Sequence, residues 1–383
     1  MIFAGTSGLN KGAFIKKLIA LSKDKNVVHI KFEDELRKLG IADTPSFLEK
    51  PSLPEKISLI RSAFESIADR LKGDYPDYVF LEVHLSYIKK GEYLPPLDIV
   101  NFEMIAPEGT DVKIITLVDD AFVTWNNIKV KETPLYPQTA LKMQEIASWR
   151  FVETLQAETL AVNFSSRGRP TVNYLISIRH PASVFHNIIF NKNPVCVYLS
   201  YPITKPRLSP EMVNDINQHR DRMHAIGARV GVAMLDPAPI DDEAMFQSLK
   251  TTKEGEPVVI TADKRWPIAP SQLVDPEVFP YTVQYRELVD AGPDIRNNIK
   301  ARDLKMIDTA VCTVAYRPLL GGVSTGVAKE ITYSISQGKR VKVFDPDRIE
   351  GTSPFEDAIE LFRDKEAFYK NVEEFLAICK NNR

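Results

Sequence analysis

Cysteine is scarce in this chain. Only three occur in 383 residues, Cys196, Cys312 and Cys379, too far apart for a paired metal-ligand spacing. Cys196 and Cys312 fall in apolar, strand-like runs, so they read as buried free thiols suited to a reducing cytosol. An excess of one charge is also missing: 49 Lys and Arg against 51 Asp and Glu leave a net charge of −2. That removes the electrostatic case for gripping a nucleic-acid polymer. No apolar run approaches the roughly 20 residues of a membrane span. The opening MIFAG leads into a strand without the charged-then-apolar layout of a signal peptide. Internal repeats and low-complexity tracts are absent. The expectation is a cytoplasmic protein with neither a membrane nor a polynucleotide as partner.

What is present is ordinary globular material, 44% hydrophobic and 26% charged. The length exceeds one compact core, so two domains are expected. Strand-like and helical runs alternate: MIFAG, NKGAFIKKLIALSK, VVHIKF, then a helix over 55–72, strands YVFLEVHL and VKIITLVDD, a long helix over 138–163, strand YLISIRHP and helix PASVFHNIIF. This is β-α-β grammar and implies parallel sheets. NKNP at 191–194 reads as a linker. A second alternation follows: strand VCVYLSYPI, a helix EMVNDINQHRDRMHAIG stopped by its glycine, and strand ARVGVAMLDP. Residues 236–295 are proline-rich with few regular patterns and read as an active-site excursion, a candidate cover. The stretch 302–345 reads as helix end, buried strand, Gly-rich loop, helix and strand. FEDAIELFRDKEAFYKNVEEFLAICKNN closes the chain with helices.

Two stretches carry chemistry. After the first strand, Gly5-Thr6-Ser7-Gly8-Leu9-Asn10-Lys11-Gly12 opens a helix. Against the phosphate-loop pattern G-x-x-x-x-G-K-[ST], Gly5 and Lys11 match, Asn10 replaces the second glycine, and Gly12 replaces the hydroxyl that would bind magnesium. Further on, Glu82 and His84 end a strand, and Gly91-Glu92-Tyr93-Leu94-Pro95-Pro96-Leu97 follows. A lone His84 would ordinarily be structural. Together these residues, with the helix carrying Arg150 and the strand near Ile176, resemble the archaeal type of adenylate kinase over roughly the first half. The resemblance implies a P-loop domain over 1–192, with Gly5, Gly8, Lys11, Glu82 and His84 as its nucleotide-binding residues and ATP or another nucleotide as ligand. The missing hydroxyl at position 12, and the absence of any Arg between Asp119 and Arg150, speak against phosphoryl transfer, which depends on metal and positive charge.

The second stretch pairs two carboxylates with a loop of small residues. Asp303 precedes the strand TAVCTVAY, and Gly321-Gly322-Val323-Ser324-Thr325-Gly326 precedes a helix that carries Glu330. A carboxylate can trap the sugar carbon when an N-glycosidic bond breaks, and a second acid can protonate the leaving base. Near its helix N-terminus, Glu330 should feel the dipole, which favours its charged form. Small residues let backbone approach a ligand. Taken with Tyr198-Leu199-Ser200-Tyr201-Pro202 and Arg207, these pieces resemble the nucleoside 2-deoxyribosyltransferases and the related 2'-deoxynucleoside 5'-monophosphate N-hydrolases. The family order is kept, although Arg317-Pro318-Leu319-Leu320 stands where an acidic residue is common.

That resemblance implies a flavodoxin-like domain over 193–383, with Glu330 as nucleophile and Asp303 as acid and base. Tyr198, Tyr201, Arg207, Gly322, Ser324, Thr325 and Gly326 would contact substrate. No metal or cofactor is required for the chemistry, and a homo-oligomer is implied because family members build sites near subunit contacts. Arg179 and His180 read as structural. The fold class is therefore α/β with two parallel-sheet domains, and the leading function is cleavage or exchange of a nucleoside or nucleotide N-glycosidic bond. A nucleotide kinase and a non-catalytic nucleotide sensor stand as alternatives.

Overall fold

The computed structural model describes the chain except residues 43, 50, 74–75, 90–91, 95–98, 131–140, 205, 318–323, 348–358 and 383. It divides into two compact α/β units. The first comprises Met1–Arg179, Met245–Ala262 and Gln272–Asn298; the second comprises His180–Ala244, Asp263–Ser271 and Ile299–Arg383. The division thus falls at Arg179/His180 rather than in the NKNP segment. Two pieces of the proline-rich excursion belong to the first unit. The excursion is also more regular than its composition suggests: it holds a helix, Glu243–Thr251, and an antiparallel pair, Val258–Ile260 with Tyr281–Val283. These elements are short, so prolines between them mask their periodicity.

The first unit is built on five parallel strands: β1 (Ile2–Ala4), β2 (Val27–Lys31), β3 (Tyr78–Glu82), β4 (Lys113–Val118) and β5 (Val172–Ser177). Their order is β2-β3-β1-β4-β5. The strands are apolar because helices cover both faces of such a sheet. On one face Ile2, Ala4, Leu81 and Ile114 pack against Phe64 and Ile67 of helix Leu53–Gly73 and Phe164 of helix Met143–Ser166. The chain runs from β1 outward to β2, returns to β3, then crosses to β4. The order therefore reverses at β1, and a ligand crevice is expected beyond its carboxyl end.

The second unit repeats the principle. Its strands are β6 (Cys196–Ser200), β7 (Ala233–Leu235), β8 (Cys312–Tyr316), β9 (Arg340–Phe344) and β10 (Ile359–Phe362), all parallel, in the order β7-β6-β8-β9-β10. Counted within the unit this is 2-1-3-4-5, the order of flavodoxin-like sheets, whose crevice lies between the first and third strands. Strand alternation sorts β6 into two faces. Val195, Val197, Leu199 and Tyr201 enter one core with Ile216, Met223 and Phe368, whereas Tyr198 and Ser200 face the other way.

Two expectations change here. Helix Pro210–Val230 runs past Gly227 and stops at Gly231, which takes the left-handed φ of 77°. Gly227 serves close packing instead, because a Cβ there would lie 2.8 Å from the Val232 carbonyl oxygen. Residues Ile359–Phe362, expected in a helix, form β10, with Ile359 and Leu361 against the small core of Ala315, Val341 and Val343. Their alternation fits that edge better than a helical turn would.

Candidate active site

In the second unit the strand order reverses between β6 and β8, so a ligand site is expected beyond their carboxyl ends. Tyr198 and Ser200 come to it together because they are two residues apart on one strand face. Helix Thr325–Ser336 lies over the sheet with Val327, Ile331 and Ile335 on the apolar cluster of Ala315, Val341 and Val343. That packing carries Glu330 toward β6. The Ser200 hydroxyl donates to Glu330 Oε2 at 2.5 Å. One turn on, the Ser334 hydroxyl bonds the Glu330 carbonyl oxygen at 2.8 Å and pairs with Thr313 of β8 at 2.7 Å. The helix is thereby pinned in register with the strands.

Asp303 approaches from helix Tyr285–Thr309, which precedes β8. Arg302 Nε donates to Asp303 Oδ1 at 2.8 Å, and Arg302 also donates to the Ile240 carbonyl at 3.1 Å. Burial raises the Asp303 pKa; the Arg302 charge opposes this and Asp242 adds to it. Glu330 is pushed up to about 7, first by desolvation and then by the Asp303 charge, against hydrogen bonds from Ser200 and Tyr198. The expected stabilisation of a charged Glu330 by the helix dipole does not prevail. Glu330 sits in the second turn, beyond the strongest part of that field, and burial beside a second carboxylate outweighs it. Tyr198 is fully buried, and its pKa rises well above normal through burial and the charges of Asp303 and Glu330. It stays a neutral donor. Its hydroxyl makes no well-formed hydrogen bond among the described residues, yet lies within reach of Glu330.

Glu330, Asp303 and Tyr198 are therefore gathered. The other expected contacts are not all beside them. Tyr201 falls on the opposite face of the sheet, where its hydroxyl bonds Asp236. Asp236 is completely buried and also meets Arg220 at 2.6 Å and His224 at 3.2 Å, while His180 Nε2 accepts from its backbone N–H at 3.0 Å. This is a satisfied structural cluster. Arg207 pairs with Asp241 and donates to the Lys264 carbonyl at 2.8 Å, so its charge is engaged before any phosphate arrives. Ser324 occupies the helix N-cap, and Thr325 and Gly326 form the exposed first turn. Gly322 lies outside the described residues. Ser200, Arg302 and Asp242 were not singled out as site residues. Ser200 shares a strand face with Tyr198, but that spacing alone does not mark it as a partner of Glu330.

The phosphate-loop-like turn of the first unit is built around Glu153. This buried carboxylate on helix Met143–Ser166 accepts from the backbone N–H of Gly5 at 2.9 Å, Leu85 at 2.8 Å and Ser86 at 2.8 Å, and from the Ser86 hydroxyl at 2.7 Å. It ties the end of β1 to the segment after β3. The glycines permit the close passage of the loop. Gly5 has φ 141°, and a Cβ on it would meet the Leu117 carbonyl oxygen at 2.5 Å; Gly8 has φ 87° and the same problem with Thr124. The Lys11 amine donates to the Gly5 carbonyl at 2.5 Å and lies 3.0 Å from His84 Nδ1. Burial lowers the pKa of both Lys11 and His84, so the histidine is neutral.

Glu82, at the end of β3, meets His29 at 3.0 Å and Lys31 at 3.7 Å. A cleft of about 500 Å³ opens here, lined by Gly8, Lys11, Lys16, Lys31, Glu82 and His84 among others. Its donors suit a phosphate group: helix N-terminal amides and several lysines. The set lacks the hydroxyl at position 12 that the pattern assigns to a magnesium ion, and the Glu82 carboxylate stands against that glycine instead. The hairpin Tyr87–Lys89 with Glu92–Leu94 covers part of the following motif, whose Gly91 and Pro95–Leu97 lie outside the described residues. Arg179 holds Asp119 at 2.6 and 2.9 Å.

Among the described residues no helix is long and apolar enough to cross a membrane. No protein-family model and no curated protein matches this sequence, so the reading of both sites rests on their chemistry.

Proposed function

We propose that the protein cleaves or exchanges the N-glycosidic bond of a nucleoside or nucleotide at the crevice of its second unit. The observation that carries this reading is the approach of Asp303 to Glu330 at the strand-order reversal, where two half-buried carboxyls share one electrostatic environment and both bind protons more tightly than usual. A carboxyl with a raised pKa is suited to donate a proton near neutrality. Near pH 7 Glu330 is divided between its two forms, so a nucleophilic fraction is always available. The Asp303 charge helps to raise Glu330, so the single proton of the pair rests mainly on Glu330, and the reactive form is the tautomer in which that proton has moved to Asp303. Glu330 bonds to the anomeric carbon, the C–N bonding electrons leave with the base, and Asp303 protonates that base. Water, or the nitrogen of a second base, then opens the glycosyl ester as Asp303 takes a proton back. Tyr198 donates toward Glu330 as its charge is released. None of these steps calls on a cofactor.

A second reading concerns the first unit alone: a nucleotide bound through its phosphates, without transfer. The cleft of about 500 Å³ at the helix N-terminus favours it. Both readings are tested by one panel of nucleosides, nucleoside monophosphates, dinucleotides and ATP. Free base released by the wild type and not by Glu330→Ala supports the first; release unchanged in that variant overturns it. Thermal stabilisation by ATP that Lys11→Ala abolishes, with no product formed, supports the second. Stabilisation that persists in Lys11→Ala overturns it.

A further inference from the structure

We infer that Ser200 is a positioning residue for Glu330, holding one carboxylate oxygen so that the other is presented to the sugar carbon. The inference rests on the glycosidic reading for its purpose, but its geometry stands alone. Ser200 is completely buried at the carboxyl end of β6. Its hydroxyl reaches Glu330 Oε2 at 2.5 Å, the distance of a direct hydrogen bond, which is strongest when the acceptor is an ionised carboxylate. The donor is held in place because β6 is paired with β8 as far as Ser200 itself and with β7 up to Tyr198. A glycosidic nucleophile needs its free oxygen fixed relative to the anomeric carbon, and a long glutamate side chain on a helix has rotamers to lose. Ser200 removes them from one end and Ser334 fixes the backbone at the other.

The same bond sets how readily Glu330 ionises. The charged and titratable groups facing it are Asp303 and Arg302 from helix Tyr285–Thr309 and Tyr198 from β6, with Asp242 acting on Asp303. Burial and Asp303 disfavour the anion; Ser200 and Tyr198 favour it. Ser200 is therefore expected to widen the pH range in which the nucleophile is charged.

The test is a ¹³C NMR titration of glutamate side-chain carboxyls in the full chain, with Glu330→Gln identifying the resonance. In Ser200→Ala the Glu330 midpoint should rise by about one pH unit, the loss of a hydrogen bond to a charged group. Ser200→Cys, close in size and a weak donor, should move it the same way. Ser200→Thr, which keeps the hydroxyl, should leave it in place. A midpoint unmoved in both Ser200→Ala and Ser200→Cys overturns the inference. With base release measurable, the acid limb of kcat/KM should follow the same order. Wild-type protein that releases no base from any substrate would overturn the glycosidic reading, while the titration would still decide the role of Ser200.

Discussion

The α-carbon of Gly12 faces the Glu82 carboxylate so closely that a Cβ built on it would lie 3.1 Å from Oε2 and 3.4 Å from Oε1. One of the two residues that depart from the phosphate-loop pattern is thus a glycine whose neighbour would crowd any side chain. Glu82 has little freedom to withdraw, since His29 and Lys31 hold it. Gly12→Ser, which restores the hydroxyl of the pattern, gains up to about 1 kcal/mol of helix propensity but compresses a held carboxylate. The net expectation is a destabilisation of roughly 1 kcal/mol. Urea unfolding would show it, and a variant as stable as the wild type or more so would refute it.

Removing Glu153 should be more damaging. Glu153→Ala leaves the buried amides of Gly5, Leu85 and Ser86 without their acceptor. Each unsatisfied buried group costs about 1–3 kcal/mol, and partial relaxation of the loop should hold the total to roughly 3–5 kcal/mol. Hydrogen exchange should locate the loss: the Gly5 and Ser86 amides should lose protection before the centre of β4 does.

Glu330→Gln should stabilise the protein, but only at higher pH. The folded-state pKa of Glu330 is raised from 4.5 to about 7, so the folded state holds this proton more tightly than the unfolded chain. Its contribution to stability is fully present below pH 4.5 and is lost as pH rises through 7. At pH 8 the ionised carboxylate therefore costs on the order of 1–3 kcal/mol, discounted because Glu330 is only half-buried. Glutamine removes that cost. Urea melts of wild type and variant should diverge between pH 5 and 8, with the variant ahead at the upper end. Curves that stay parallel across that range would contradict the proposed environment.

Much of this arrangement was legible in the chain. The apolar runs that became β1, β4, β6 and β8 were unmistakable, because a parallel strand is buried on both faces. Asp303 and Glu330 could be paired because a Gly-rich loop stood between them in the expected order. What was hidden depended on distance. Ser200 and Glu330 are 130 residues apart, and nothing local marks a serine in a buried strand as a partner. Glu153 looks like one more acidic residue of a long helix; its partners lie in two loops that only the folded sheet brings together. Tyr201 was misplaced because adjacent residues of a strand face opposite ways, and a motif read as a string conceals that. The electrostatics of Glu330 escaped for a similar reason: position in a helix is local, whereas desolvation is set by everything packed around it.

Strand β6 writes two messages in alternate letters. Val195, Val197, Leu199 and Tyr201 specify a core, while Tyr198 and Ser200 specify a site. Inserting or deleting one residue ahead of Val195 would exchange the two messages, placing a serine in the core and a leucine before Glu330. The strand can therefore drift by substitution within either phase, but not in length. Among descendants of this chain, changes of length are to be sought in the connections after its strands and not within β6.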